Sequence, residues 1–76
     1  MARDAVLLEV YRVTPRPKVR GPVTAWAGPS GSARRAVAVA TEVLALPPRM
    51  RVTVDQEDSR GRWRPYGQMT VGGAEA

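Results

Sequence analysis

Arginines are the residues of this chain that could do most of its chemistry, and they fall into three groups. The first group follows a β-branched segment, in a stretch that two prolines keep extended. Its cations are Arg12, Arg16, Lys18 and Arg20. An extended arm with cations at this spacing could lie along a phosphate backbone or enter a minor groove. The alternative interpretation is a solvated loop that aids solubility.

The second group lies where a glycine- and serine-rich segment, residues 28–32, leads into a predicted helix. Arg34 and Arg35 fall in the first turn, where the positive end of the helix dipole disfavours cations. With the free backbone N–H groups of that turn, they would suit an anion such as phosphate. The Lys-Ser/Thr end of the Walker pattern is missing, so nucleotide hydrolysis does not follow. In the alternative, a serine caps the helix and the arginines point to solvent or pair with Glu42.

The third group interleaves arginines with aromatic rings around a glycine. Its members are Arg60, Arg62, Trp63, Arg64 and Tyr66. Guanidinium groups can contact phosphates while rings stack on unpaired bases. Strand alternation places Trp63 on one face with Met69 and Val71, and hence in the predicted core. Tyr66 falls on the opposite face and is therefore the better stacking candidate. The aromatic consensus and the βαββαβ order of the RNA-recognition motif are both absent.

Two residue types on which metal binding and enzymatic catalysis often depend are missing from this chain. The chain contains no Cys and no His, which removes the usual zinc ligands and the usual nucleophile–base pairs. Lys18 is the only lysine, and it lies among prolines and like charges, where a Schiff base is not favoured. Asp55, Glu57 and Asp58 lack the glycine and the distal Glu of an EF-hand loop, and we interpret them as a solvated turn. We therefore expect no catalytic activity, no metal site and no cofactor.

Length and composition predict one small domain over residues 1–76 with a thin core. The 12 Lys and Arg residues against 7 Asp and Glu residues give a net charge of +5, which favours attraction to polyanions. The longest N-terminal apolar run, residues 5–8, is too short for a signal sequence or a membrane span. We therefore expect a cytoplasmic protein with no membrane association.

Residue patterns also predict the elements that must position these groups. Strands are predicted from β-branched or alternating segments over residues 5–13, 19–27, 49–55 and 62–71. A helix is predicted over 33–46, because its apolar residues fill one half of a helical wheel and two prolines follow it. Ser30 or Ser32 is the expected N-cap, and residues 72–76 are expected to form a frayed tail.

The order ββαββ predicts an α+β fold, a two-layer sandwich in which one amphipathic helix covers one face of a four-stranded, mostly antiparallel sheet. The other face of the sheet would stay open. The side chains predicted on it are Arg51, Thr53, Arg64, Tyr66, Gln68 and Thr70.

Two functions from different classes fit these patterns. The leading hypothesis is a small basic nucleic-acid-binding domain, for DNA or RNA, whose arginine-rich loops contact phosphates. It requires cations from the three groups to converge on one side of the molecule. The alternative is a protein–protein interaction module: an adaptor, a regulator or a small component of a larger, phage-type assembly. Such a module would be homo-oligomeric, with a homodimer forming through a sheet edge or the open sheet face.

Overall fold

The fold is an open, four-stranded antiparallel sheet with one helix packed on one face. It was obtained as a computed structural model that describes residues 7–17, 21 and 23–72. The elements are β1 (Glu9–Arg16), β2 (Trp26–Ser30), α1 (Ala33–Leu44), β3 (Arg51–Glu57) and β4 (Trp63–Thr70). The strands lie in the order β2-β1-β3-β4. The predicted α+β class and the order ββαββ are confirmed.

Strands β1 and β2 both lie further along the chain than predicted. β1 continues to Arg16 because Pro15 lies opposite Val52 and its ring is fully buried, so that it acts as a core side chain. β2 likewise includes Gly28, which was predicted to be in a loop. A Cβ atom at position 28 would lie 2.8 Å from Cζ2 of Trp26, so glycine leaves room for the indole ring.

The core between the sheet and the helix consists mainly of small apolar side chains. Those buried are Tyr11, Val13, Ala33, Ala36, Val37, Ala40, Leu46, Val52, Val54 and Val71. The alanines let α1 approach the sheet closely. Trp26, the first residue of β2, is partly buried and packs against this cluster.

The two ends of α1 have different structures. At the start, the Ser32 hydroxyl accepts a hydrogen bond from the backbone N–H of Arg35 at 3.1 Å, which confirms the predicted N-cap. At the end, Ala45 adopts the left-handed conformation, with φ 53° and ψ 52°. The helix therefore stops at Leu44, two residues before the predicted end, and Leu46 turns back into the core.

A β-bulge interrupts the pairing of β3 with β4. Val54 lies opposite Gly67, whereas the next residue, Asp55, lies opposite Pro65. Tyr66 is therefore an extra residue on β4. One extra residue reverses which face each following side chain occupies, because side chains alternate with a period of two.

The bulge overturns three predictions about side-chain positions. Tyr66 lies on the helix side, where its ring packs edge-on against Tyr11 with centroids 5.8 Å apart. Arg64 lies on the same side, opposite Gln56, whose side-chain amide donates to the Tyr11 hydroxyl at 3.4 Å. Trp63 lies on the open side. The predictions that Trp63 is in the core and that Arg64 and Tyr66 share the open face are therefore wrong.

Candidate nucleic-acid interface

The sheet face opposite α1, here called the open face, carries polar and charged side chains from three strands. No described helix or strand covers it. The register places on it Arg12, Thr14, Arg16, Arg51, Thr53, Asp55, Glu57, Trp63, Gln68 and Thr70. Four residues predicted for this face are confirmed there, namely Arg51, Thr53, Gln68 and Thr70.

Arg16 and Arg51 lie directly opposite each other on this face. Both side chains are exposed, and Arg16 Nε donates a hydrogen bond to Thr53 Oγ1 at 3.0 Å. No ion pair joins either arginine to an acid among residues 7–17, 21 and 23–72. The two arginines therefore make this end of the open face strongly positive. Like charges directly opposite each other also destabilise a sheet.

Arg12 has a different environment at the other end of the open face. Its Nη2 atom lies 3.1 Å from Asp55 Oδ2, and its guanidinium carbon lies 4.7 Å from the centre of the Trp63 ring. The ion pair neutralises the charge of Arg12, and the stacking covers one face of the indole. Arg12 therefore acts as a support for Trp63 more than as a free cation.

The turn between β3 and β4 holds the third group of arginines. Asp58 Oδ1 accepts hydrogen bonds from the backbone N–H groups of Arg60 and Arg62, at 2.8 and 2.9 Å. Both bonds lower the pKa of the Asp58 carboxyl below its ordinary value, and the bond from Arg62 has the larger effect. Gly61 takes a positive φ of 76° there. The Arg64 Nη1 atom is 3.9 Å from Asp58 Oδ2, a long and exposed ion pair.

The first and second groups of arginines lie on opposite sides of the sheet. Arg34 and Arg35 are exposed on α1, and neither pairs with Glu42 among the described residues, which was one of the two possibilities for these side chains if they bind no anion. Lys18 and Arg20 lie outside the described residues, as do residues 73–76 of the expected tail. Convergence of all three groups on one side is therefore wrong, so the hypothesis of one phosphate-binding interface built from all three groups fails in that form. The described cations of the open face are fewer and come from β1 and β3.

The position or the role of two residues of this face was not identified from the sequence. Arg51 was predicted on the open face but not as a phosphate contact, although the alternation over residues 49–55 gave its orientation. Trp63 carried no local signal for its orientation, because the bulge depends on pairing with β3.

Comparisons with protein-family models, with curated proteins and with solved structures find no match. Function is therefore inferred from the geometry of the site. Within residues 7–17, 21 and 23–72, no three His, Cys, Asp or Glu side chains gather closely enough to hold a metal ion. Over the same ranges, no helix has the length and hydropathy needed to cross a bilayer.

Proposed function

We propose that this protein binds single-stranded nucleic acid on the open face, with Arg16 and Arg51 contacting backbone phosphates. The observation that supports this proposal is the cross-strand pairing of two exposed arginines, neither of which forms an ion pair among the described residues. A phosphate placed between them would replace their repulsion by charge-assisted hydrogen bonds. The net charge of +5 favours the approach of any polyanion.

Trp63 suggests why the bound strand would be single. Arg12 stacks on one face of the indole. The Trp63 side chain is only half-buried, so part of the ring surface is left for an unpaired base. Stacking of a base on an aromatic side chain is worth about 1–3 kcal/mol. Trp63 pairs with Glu57, at the far end of β3 from Arg51, so the backbone positions of ring and cations are about 20 Å apart at 3.4 Å per residue. That distance spans several nucleotides.

Fluorescence anisotropy tests this proposal with labelled DNA and RNA strands about 12 nucleotides long, and with the matching duplex. We expect the single strands to bind at ~50 mM salt, with log K falling by about 0.7 per unit of log salt for each phosphate neutralised. The double variant Arg16→Gln/Arg51→Gln should weaken binding at least tenfold. It should also flatten the salt slope by about 1.4, for two lost phosphate contacts.

A matched control removes the same charge from the other side of the molecule. Arg34→Gln/Arg35→Gln lowers the net charge equally, and it should leave the salt slope within about 0.5 of the wild-type value, since no phosphate contact is lost. Absence of binding at ~50 mM salt would reject the proposal. Equal losses in the two double variants would show attraction to net charge alone, which also rejects the site.

The protein–protein hypothesis has support of its own in the free edges of β2 and β4. In the sheet order β2-β1-β3-β4, each of these strands has one side without a described partner. An edge strand exposes unpaired N–H and C=O groups and can pair with a second copy. A homodimer of this kind should be visible by light scattering, and a strict monomer at high concentration would argue against it. Either function is compatible with the expected cytoplasmic location.

A further inference from the structure

A groove runs between α1 and the end of β4, because the helix packs mainly on β2, β1 and β3. Its volume is about 560 Å³, and one wall is a row of helix residues, Arg34, Val37, Ala38 and Thr41. The opposite wall is the chain from Thr70 to Gly72. At the Ser32 end, a second cavity shares Ser32 and Arg34 with the groove, and Tyr66 and Met69 of β4 line it.

The groove has an apolar floor beside an unpaired strand. Val37 and Val71 line it and are themselves buried, and Met69 packs on the core. Tyr66 is 55% exposed, a large ring left uncovered beside this floor. The outer side of β4 has no partner strand among the described residues. Apolar surface and unpaired backbone groups therefore adjoin each other, which is the combination that an added strand uses.

The two ends of the groove carry opposite charges. Arg34 and Arg35 lie at its Ser32 end, the first turn of α1 contains no acid, and neither arginine pairs with an acid in the part of the chain that the structure describes. The positive end of the helix dipole lies at the same place. Glu42 is the acid that lines the other end. A complementary ligand would therefore carry a negative charge at the Ser32 end and apolar side chains beyond it.

We propose that this groove binds an extended, acidic segment of a partner protein, which adds to the free side of β4 as a fifth strand. Alternate side chains of a strand point to one face, so every second residue of the segment would enter the groove. An acidic residue would meet Arg34 and Arg35, and apolar residues would pack on Val37 and Val71. This site lies on the helix side of the sheet and is independent of the nucleic-acid site on the open face.

The test begins with selection of ligands from a random dodecapeptide display library on the full chain. We expect the enriched peptides to alternate β-branched with other residues and to carry an acidic residue near one end. Synthetic, fluorescein-labelled copies are then measured by anisotropy. Arg34→Glu/Arg35→Glu should weaken their binding at least tenfold. Methylation of alternate peptide N–H groups should do the same, because it removes the hydrogen bonds to β4.

The control variant Arg16→Glu/Arg51→Glu makes the same charge change on the open face, and it should alter peptide affinity less than twofold. Circular dichroism checks that each variant is folded, which is expected because all four arginines are exposed. Failure to enrich any peptide would overturn the proposal, as would equal losses in the two double variants. Displacement of the peptide by a single-stranded oligonucleotide would instead identify the groove as a nucleic-acid contact, and would also overturn it.

Discussion

The guanidinium carbon of Arg12 lies 4.7 Å from the centre of the Trp63 ring, although Arg12 is in β1 and Trp63 in β4. The same guanidinium group donates to Asp55 of β3, so one side chain joins three strands on the open face. The contact exists because the extra residue Tyr66 turns Trp63 away from the helix. Stability and the proposed base-stacking site are thereby linked through a single arginine.

Replacement of Arg12 tests its contribution to stability. Arg12→Ala removes a cation–π contact worth about 0.5–1 kcal/mol and a partly exposed ion pair worth up to about 1 kcal/mol. We expect the free energy of unfolding in urea to fall by about 1–2 kcal/mol. Arg16→Ala should change it by no more than about 0.5 kcal/mol, because relief of the repulsion with Arg51 offsets the lost bond to Thr53. Equal effects would contradict a special role for Arg12.

The orientation of the two rings predicts which of them stacks on bases. Trp63→Leu should weaken single-strand binding by about tenfold or more, since stacking on one base is worth about 1–3 kcal/mol. Tyr66→Leu should change the affinity less than twofold, because Tyr66 lies on the helix side. Anisotropy at fixed salt measures both affinities. The reverse ranking would favour Tyr66, as alternation alone suggested.

Two alanine-to-glycine changes, one within α1 and one at its C-cap, should have opposite effects on stability. Ala45 has a positive φ of 53°, which costs an L-residue with a Cβ about 1 kcal/mol. Ala45→Gly should therefore raise the free energy of unfolding by about 0.5–1 kcal/mol. Ala38→Gly, at an exposed position in the middle of α1, should lower it by about 1 kcal/mol. Thermal and urea denaturation measure both, and a loss of stability in Ala45→Gly would show that the cap has another role.

Removal of the N-cap should weaken the same helix from its other end. Ser32→Ala leaves the N–H of Arg35 without its side-chain acceptor, at a cost of about 1 kcal/mol. Ser59→Ala is the control, because Ser59 is exposed in a turn, and it should change stability by less than about 0.5 kcal/mol. Urea denaturation compares the two variants, and indistinguishable midpoints would mean that water replaces the cap.

The turn at Asp58 should add an acid-sensitive contribution to stability. Hydrogen bonds from the backbone of Arg62 and Arg60 lower the pKa of Asp58 in the folded state from its ordinary value of 3.8. The folded state therefore binds this proton less readily than the unfolded chain does, so the stabilisation is complete above the unfolded pKa. It is lost as the pH falls through the lower, folded pKa.

Denaturation over a series of pH values checks this sign. The difference in unfolding free energy between wild type and Asp58→Ala should be constant above about pH 5 and shrink as the solution is acidified further. Glu57→Ala is a suitable neighbour for comparison, since Glu57 accepts none of these backbone hydrogen bonds. A difference that grows on acidification would contradict the proposed role of the carboxylate.

The element order, the helix, its Ser32 cap and the presence of a turn between β3 and β4 could be predicted from the sequence, although Asp55 and Glu57, interpreted as part of that turn, lie in β3. These features depend on residues that are close together in the chain: a wheel with one apolar half, a serine before it and two prolines after it. The start of β1 was less predictable. Leu7 and Leu8 are apolar and lie near β-branched residues, which favours a strand, and yet they are exposed and precede β1. Apolar character alone does not say which residues find a pairing partner.

What the amino-acid sequence determined by itself is therefore the list of elements and the excess of arginine over acid. Only the tertiary structure decided which side each arginine and ring occupies. Tyr66 shows the reason, since alternation along β4 is a local property whereas the bulge arises from pairing with β3. Arg16 and Arg51 are 35 positions apart and become neighbours only through the register of β1 and β3. Strand pairing between distant segments therefore decides which charged side chains become neighbours, and the local sequence pattern does not encode that pairing.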